Sequence, residues 1–226
     1  MKDASEQEVW ERHWSSTAGP DALVGRIASI VRRRVLSRAV AHYTDRYFPR
    51  SGVFVECGCG TGQASGLIGR DGRRLLALDF SSRALEQTRS VSSFTDRLQA
   101  DIRTLPFRDA SVSGIWNLGV MEHFDAAATG EILSEFRRVL QPGACAILFW
   151  PPEFGSSRWL LAPVEWLMSR RRGREFRVFP DEVNRLRSRR HAADILQAAG
   201  LETVAVDFTP RDAFIHLVVV ARRPAG

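Results

Sequence analysis

The sequence has almost no lysine: Lys2 is the only one, although lysine and arginine together number 32 against 26 acidic residues. Arginine therefore carries the formal charge of +6. So uniform a preference fits genome composition and a solvated basic surface better than selected phosphate contacts, and no nucleic-acid partner is expected. Cysteine is scarce too. The chain has three, two of them as Cys57-Gly58-Cys59, with no second Cys or His pair at metal-ligand spacing. That excludes a disulfide framework, and no metal is expected. No apolar run reaches bilayer-spanning length, and the opening MKDASEQEVW is too polar for a secretory signal. A cytoplasmic location is the expectation. No internal repeat or low-complexity tract is present.

What is present suits one sizeable α/β domain: 226 residues, 44% hydrophobic and 26% charged. Short apolar runs rich in β-formers alternate with helical stretches, the pattern of a parallel sheet covered on both faces. The pattern predicts strands at Val53–Val55, Leu75–Leu78, Arg97–Ala100, Val112–Leu118 and Ala144–Trp150. Helices are predicted at Gln63–Gly69, Ser82–Ser90 and Ala126–Leu140. In the last, Ile132, Leu133, Phe136, Val139 and Leu140 form one apolar stripe, and Gln141-Pro142-Gly143 should break it. Two final strands, Leu201–Phe208 and Ala213–Ala221, are separated only by Thr209-Pro210-Arg211-Asp212. That is too short for a crossover helix, so they must be antiparallel neighbours. Ahead of the sheet, an amphipathic segment from Asp21 to about Tyr47 presents Leu23, Ile27, Ile30, Val31, Val35 and Ala39.

Chemistry enters at Glu56–Gly62, ECGCGTG, between the first strand and the first helix. Glycines there let backbone N–H groups approach a ligand closely. Dinucleotide-binding proteins share such turns, but their third glycine falls three residues after the second. Here that place holds Gln63, with Gly62 one residue early. Asp79 ends the second strand 19 residues beyond Gly60, where a carboxylate can accept both ribose hydroxyls. The segments QADIRTLPF and LPFRDASVSGIWNLGVMEHF follow, with Asp101 at the end of the third strand.

From about Gly52 to Trp150 these segments resemble the class I S-adenosylmethionine-dependent methyltransferases. The type is the small-molecule one, like the ubiquinone/menaquinone-biosynthesis group. The resemblance implies a Rossmann-like, mostly parallel seven-stranded sheet with an antiparallel C-terminal hairpin and helices on both faces. It also implies S-adenosylmethionine as cofactor. Glu56, Gly58, Gly60, Asp79, Phe80, Asp101 and Ile102 would be its contacts, with Asn117 and Leu118 bordering the methionine end. Charge agrees: a carboxylate at Glu56, at the mouth of the loop, repels a pyrophosphate and attracts ammonium and sulfonium groups. The bland alternatives are that Asp79 caps the helix near Ser82 and that Asp101 caps a turn.

An expected single domain then divides into N-terminal cap helices (1–50), a cofactor core (51–150), a lid-like insertion (151–187) and the last helix with its hairpin (188–226). Methyl transfer needs alignment more than a base. If a base is used, Glu122 and His123 in MEHF are the candidates, although both can simply begin a helix. Trp10 and Trp14 are placed to close over the cofactor or to pack against the first helix. The insertion carries Trp159, Leu160, Leu161, Val164, Trp166, Leu167 and Met168 ahead of Arg170, Arg171, Arg172 and Arg174. One reading is a lid over the acceptor pocket. The other is peripheral membrane contact through 157–177, at the inner membrane surface. Both imply a small-molecule acceptor that is apolar or lipid-linked. Arg185, Arg187, Arg189 and Arg190 suit either an acceptor anion or a solvated face. Two rival functions stay open, an RNA or protein methyltransferase and a non-catalytic nucleoside-binding subunit. The first lacks the Asn/Asp-Pro-Pro-aromatic tetrapeptide, since Asn117-Leu118-Gly119-Val120 stands there.

Overall fold

In the computed structural model residues 8–11, 29–156, 166, 169–170 and 182–225 are described. Seven strands form one sheet: β1 (Gly52–Cys57), β2 (Arg73–Asp79), β3 (Asp96–Gln99), β4 (Val112–Leu118), β5 (Leu140–Trp150), β6 (Glu202–Phe208) and β7 (Leu217–Arg222). Their order is β3-β2-β1-β4-β5-β7-β6. The first five are mutually parallel, and β7 runs antiparallel to both β5 and β6. The order reverses beside β1, so the ligand crevice belongs at the carboxyl ends of β1 and β4.

Helices α1 (Ser37–Tyr47), α2 (Ser82–Gln87), α3 (Ala126–Val139) and α4 (Arg189–Ala198) cover the faces. Continuous apolar strands fit burial on both sides. On one side Ile132, Leu133 and Phe136 of α3 and Leu196 of α4 pack against Ile115, Leu148 and Trp150. On the other, Val40 and Tyr43 of α1 meet Phe54, Trp116 and Phe149. Fully burying a large apolar side chain such as Phe136 contributes roughly 1.5–3 kcal/mol.

Several boundaries differ from the sequence expectations, each for a local reason. The helix expected over Gln63–Gly69 is only a 3-10 turn, Gln63–Ser65. Gly62, Gly66, Gly69 and Gly72 crowd the segment before β2 starts at Arg73, leaving no room for a helix. Gln141-Pro142-Gly143 does not precede β5 but lies inside it. Leu140 turns straight from α3 into strand pairing with Val112, and the register then shifts before Gly114 meets Cys145. The third strand ends at Gln99, one residue earlier than expected. Ahead of α1, Arg32–Leu36 form a π turn, which adds a residue and rotates the apolar stripe. Ala39 is buried as expected, but its companions are Leu36, Val40 and Tyr43, and Ile30 is 55% exposed. Leu23 and Ile27 lie outside the described residues. Glu122 and His123 belong to a separate 3-10 turn, Met121–His123, and α3 starts afresh on an Asp125 cap. The last strand starts at Leu217 rather than Ala213, because Pro210–Asp212 form a 3-10 turn and Ala213 and Phe214 are left-handed.

Candidate active site

Three glycines shape the loop after β1. Gly58, Gly60 and Gly62 have φ of 71°, 51° and 66°, the left-handed region that side chains resist. The turn is fastened to the neighbouring strand, since Gly58 and Cys59 N–H both donate to Leu78 C=O at 2.8 and 3.0 Å. Asp79, at the end of β2, holds it from the side: Oδ2 accepts Gly60 N–H and Oδ1 accepts Ser81 N–H, both at 2.9 Å. Burial pushes the Asp79 pKa up, and these bonds partly offset the push. Asp79 does not itself cap α2; Ser81 does, accepting Ala84 N–H.

Glu56 is not at the mouth of the loop. It lies beneath it, 2% exposed, accepting a hydrogen bond from Ser65 Oγ at 2.7 Å. Trp116 Nε1 donates to the same Ser65 oxygen. Burial drives the Glu56 pKa up to about 8 against that hydrogen bond, so at neutral pH the side chain is mostly protonated. Burial also raises the Cys57 and Cys59 thiols well above their usual value, which makes them inert fillers.

Asp101 does cap a turn, its Oδ1 accepting Arg103 N–H at 2.8 Å. It also pairs with the Arg103 guanidinium at 2.6 Å. Burial raises its pKa, but Arg103 outweighs this and holds the carboxyl below its usual range. Ile102 is buried in the same apolar cluster as Leu78, and Phe80, half-buried, follows Asp79. At the end of β4, Asn117 is fully buried, with neither amide atom hydrogen-bonded among the described residues. Leu118 is half-buried beside it. Glu122 is 4% exposed, its Oε2 likewise unpartnered, and burial pushes its pKa up to about 8. Glu182 adds to that push and Arg185 opposes it. His123 Nε2 stands 3.8 Å from Glu122 Oε1.

Trp10, expected either to close over the cofactor or to pack against the first helix, belongs to a bridge whose partners carry no sequence signal. Trp10 sets its ring edge-on to His123 at 4.9 Å, at the end of β4. One residue on, Glu11 Oε1 accepts Ser82 N–H at 2.9 Å, at the start of α2. Since β1 lies between β2 and β4, residues 8–11 straddle the glycine loop. A second strap comes from the far side, where Val183 and Asn184 N–H donate to Glu122 C=O and Trp150 Nε1 donates to Asn184 C=O. Arg185 pairs with Glu182, and Arg187 contacts His191. Trp14 and most of 157–177 lie outside the described residues. No His/Cys/Asp/Glu cluster suited to a metal, and no helix long and apolar enough to cross a membrane, occurs among the described residues.

These residues fit a nucleoside carrying a cationic centre. The glycine cradle excludes side chains, Asp79 fixes that cradle, and buried Asn117 and Glu56 offer polar groups at the strand ends. Gly58 supplies a test. A Cβ there would meet Val120 Cγ2 at 2.8 Å with φ of +71°. Gly58→Ala should cost about 2 kcal/mol and weaken cofactor binding, because the loop must shift. Gly130, inside α3 with open space around it, is the control. Gly130→Ala should stabilise by about 0.5–1 kcal/mol, and thermal melts compare the two.

Sheet order, antiparallel end and glycine loop together define the class I methyltransferase fold. Comparison with known proteins narrows this, since residues 55–148 match the family model described as methyltransferase domain. Residues 55–148 thus carry a methyltransferase domain. Among curated relatives, a Mycolicibacterium smegmatis protein named "Probable S-adenosylmethionine-dependent methyltransferase" is 33% identical over 97 residues, 43% of this chain and 37% of its own. A Yersinia pestis malonyl-[acyl-carrier protein] O-methyltransferase is 39% identical over 98 residues, 43% of this chain and 35% of its own. The chain thus spans about a third of the length of these relatives. Among solved structures, Burkholderia thailandensis 1,6-didemethyltoxoflavin-N1-methyltransferase, with S-adenosylhomocysteine bound, has a TM-score of 0.63 at 18% identity. It covers 98% of this chain and 90% of that one, a likeness of fold.

Proposed function

We propose that the whole chain is an S-adenosylmethionine-dependent methyltransferase acting on O, N or C of a small, apolar or lipid-linked acceptor. The observation that carries the cofactor half is Asp79, buried and locked onto Gly60 at the switch point of the sheet. The cofactor would supply a methyl group already activated on sulfur. The chain's own part is to bind, align and exclude water. Asp79 would hold the ribose, Glu56 and Asn117 the charged methionine end, and Asp101 with Ile102 the base. The bridge at Trp10 and the strap at 182–186 would shield the reacting centre.

Apolar side chains near the same sheet edge support the acceptor class: Phe154, 49% exposed, and Phe214, 41% exposed. Within the insertion, Arg170 lies over the Trp166 ring at 5.5 Å, a pairing equally suited to a lid or to membrane contact. Of the proteins named above, one is an O-methyltransferase of malonyl-[acyl-carrier protein] and one an N1-methyltransferase, so O and N acceptors both occur among them.

His123, beside Glu122 and under Trp10, is the proposed base for a protic acceptor. His123→Ala should lower turnover at saturating acceptor roughly 10²–10⁴-fold, the usual contribution of general-base catalysis. Turnover kept within a fewfold from pH 6 to 9 would leave His123 as pocket wall. The wider reading is tested with a labelled-methyl assay on lipid extract, a metabolite pool and RNA. Label entering only RNA would sink the proposed acceptor class.

A further inference from the structure

We infer that His216, held by Asp212, is the hydrogen-bond acceptor that positions the O–H or N–H group of the methyl acceptor, an inference that rests on the methyltransferase reading above. The pair belongs to neither the glycine loop nor the MEHF turn. Asp212 closes the turn Pro210–Asp212, and His216 immediately precedes β7. Leu217 pairs with Trp150, the last residue of β5. His216 therefore stands at the sheet edge that carries the loop, its ring edge-on to Phe149 at 6.0 Å. Two strand spacings separate β7 from β4, ~10 Å at ~4.8 Å each, the span of a small acceptor.

Asp212 is fully buried, and its Oδ2 accepts His216 N–H at 2.8 Å and lies 3.1 Å from Nδ1. A carboxylate on Nδ1 fixes the ring hydrogen there and leaves the lone pair on Nε2. Nε2 makes no hydrogen bond among the described residues. Asp212 Oδ1 is buried and also unpartnered among them. Capping the turn requires only the backbone N–H bond, which any residue except proline supplies at 216. The structure instead buries an imidazole to 5% exposure. It reaches this through two consecutive non-glycine residues, Ala213 and Phe214, both at φ 58°. Strain of that kind concentrates at functional sites. Here it bends the chain so that His216 returns to Asp212.

The neighbours define the ligand class. Phe149 packs edge-on to the imidazole, and at the same strand ends Phe208 lies between Phe154 and Phe214, with ring centroids at 5.3 and 5.0 Å. A lone pair at Nε2 selects a hydrogen donor. The fitting molecule is apolar with one protic group, a phenol, alcohol or amide N–H, and its methylated form no longer fits.

The test uses the full chain saturated with S-adenosylhomocysteine, ring-¹⁵N-labelled histidine, and two probes, 4-butylphenol and its methyl ether. The His216 Nε2 resonance should move with the phenol and stay put with the ether. His216→Gln should weaken phenol binding about tenfold, the worth of one hydrogen bond, with S-adenosylhomocysteine affinity unchanged. Should that variant not fold, carbethoxylation of His216 in the unaltered protein, read by mass spectrometry, should be blocked by the phenol alone. No S-adenosylhomocysteine binding would overturn the methyltransferase reading. Normal binding with a stationary His216 resonance, or equal protection by both probes, would overturn this inference alone.

Discussion

Replacing Asp79 with alanine is expected to weaken S-adenosylhomocysteine binding about a hundredfold. The proposed bond to the ribose hydroxyls accounts for roughly 1.5–3 kcal/mol per charge-assisted contact. The rest comes from the loop. Asp79 Oδ2 holds Gly60 N–H and Oδ1 holds Ser81 N–H, so the same carboxylate fixes both the cradle and the start of α2. Asp79→Asn keeps the shape and one acceptor oxygen, and should lose only about tenfold. Titration calorimetry separates the two. An alanine variant that binds as tightly as the unaltered chain would remove Asp79 from the site.

The second large effect is on pH. Glu56 and Glu122 are buried carboxyls with pKa raised to about 8, against about 4.5 when unfolded. Between those values the folded chain holds protons that the unfolded chain has released, so stability must fall as pH rises. Each group contributes on the order of a few kcal/mol across that window. For a chain of this size the ligand-free Tm should therefore drop by about 10 °C from pH 5 to pH 8. Asp101 and Glu135, held low by Arg103 and Arg138, act in the opposite sense only below their unfolded range. Glu56→Gln should remove roughly half of the slope, with Glu122 keeping the remainder. A cationic ligand favours ionised Glu56, so cofactor binding near pH 7 should release nearly one proton. Calorimetry in buffers of different ionisation enthalpy measures that release; a flat Tm profile and no release would contradict it.

Much of the sheet was legible because strands buried on both faces leave long apolar runs. Val112–Leu118 is such a strand, and its bounds in the sequence and the structure coincide. The antiparallel end was legible from the short link at Thr209–Asp212. Apolarity alone misplaced the start of β7, because Ala213 and Phe214 are apolar yet left-handed. Hydrophobic period also misled ahead of α1, where the π turn inserts a residue that no pattern announces. At the site, spacing located Glu56, Asp79, Asp101 and Asn117 at strand ends. It said nothing of their partners. Ser65 beneath the loop and Glu11 on Ser82 are products of tertiary packing, and Arg103 on Asp101 of a local turn. The change matters most at Glu56. Its carboxyl was expected as an exposed charge, and burial makes it a mostly protonated group at neutral pH.

Equilibrium dialysis with methyl-labelled S-adenosylmethionine tests the central claim most directly. One label per chain, displaced by S-adenosylhomocysteine and untouched by a dinucleotide, is the predicted result. Retention no greater than for Asp79→Ala, or displacement by the dinucleotide, would contradict it.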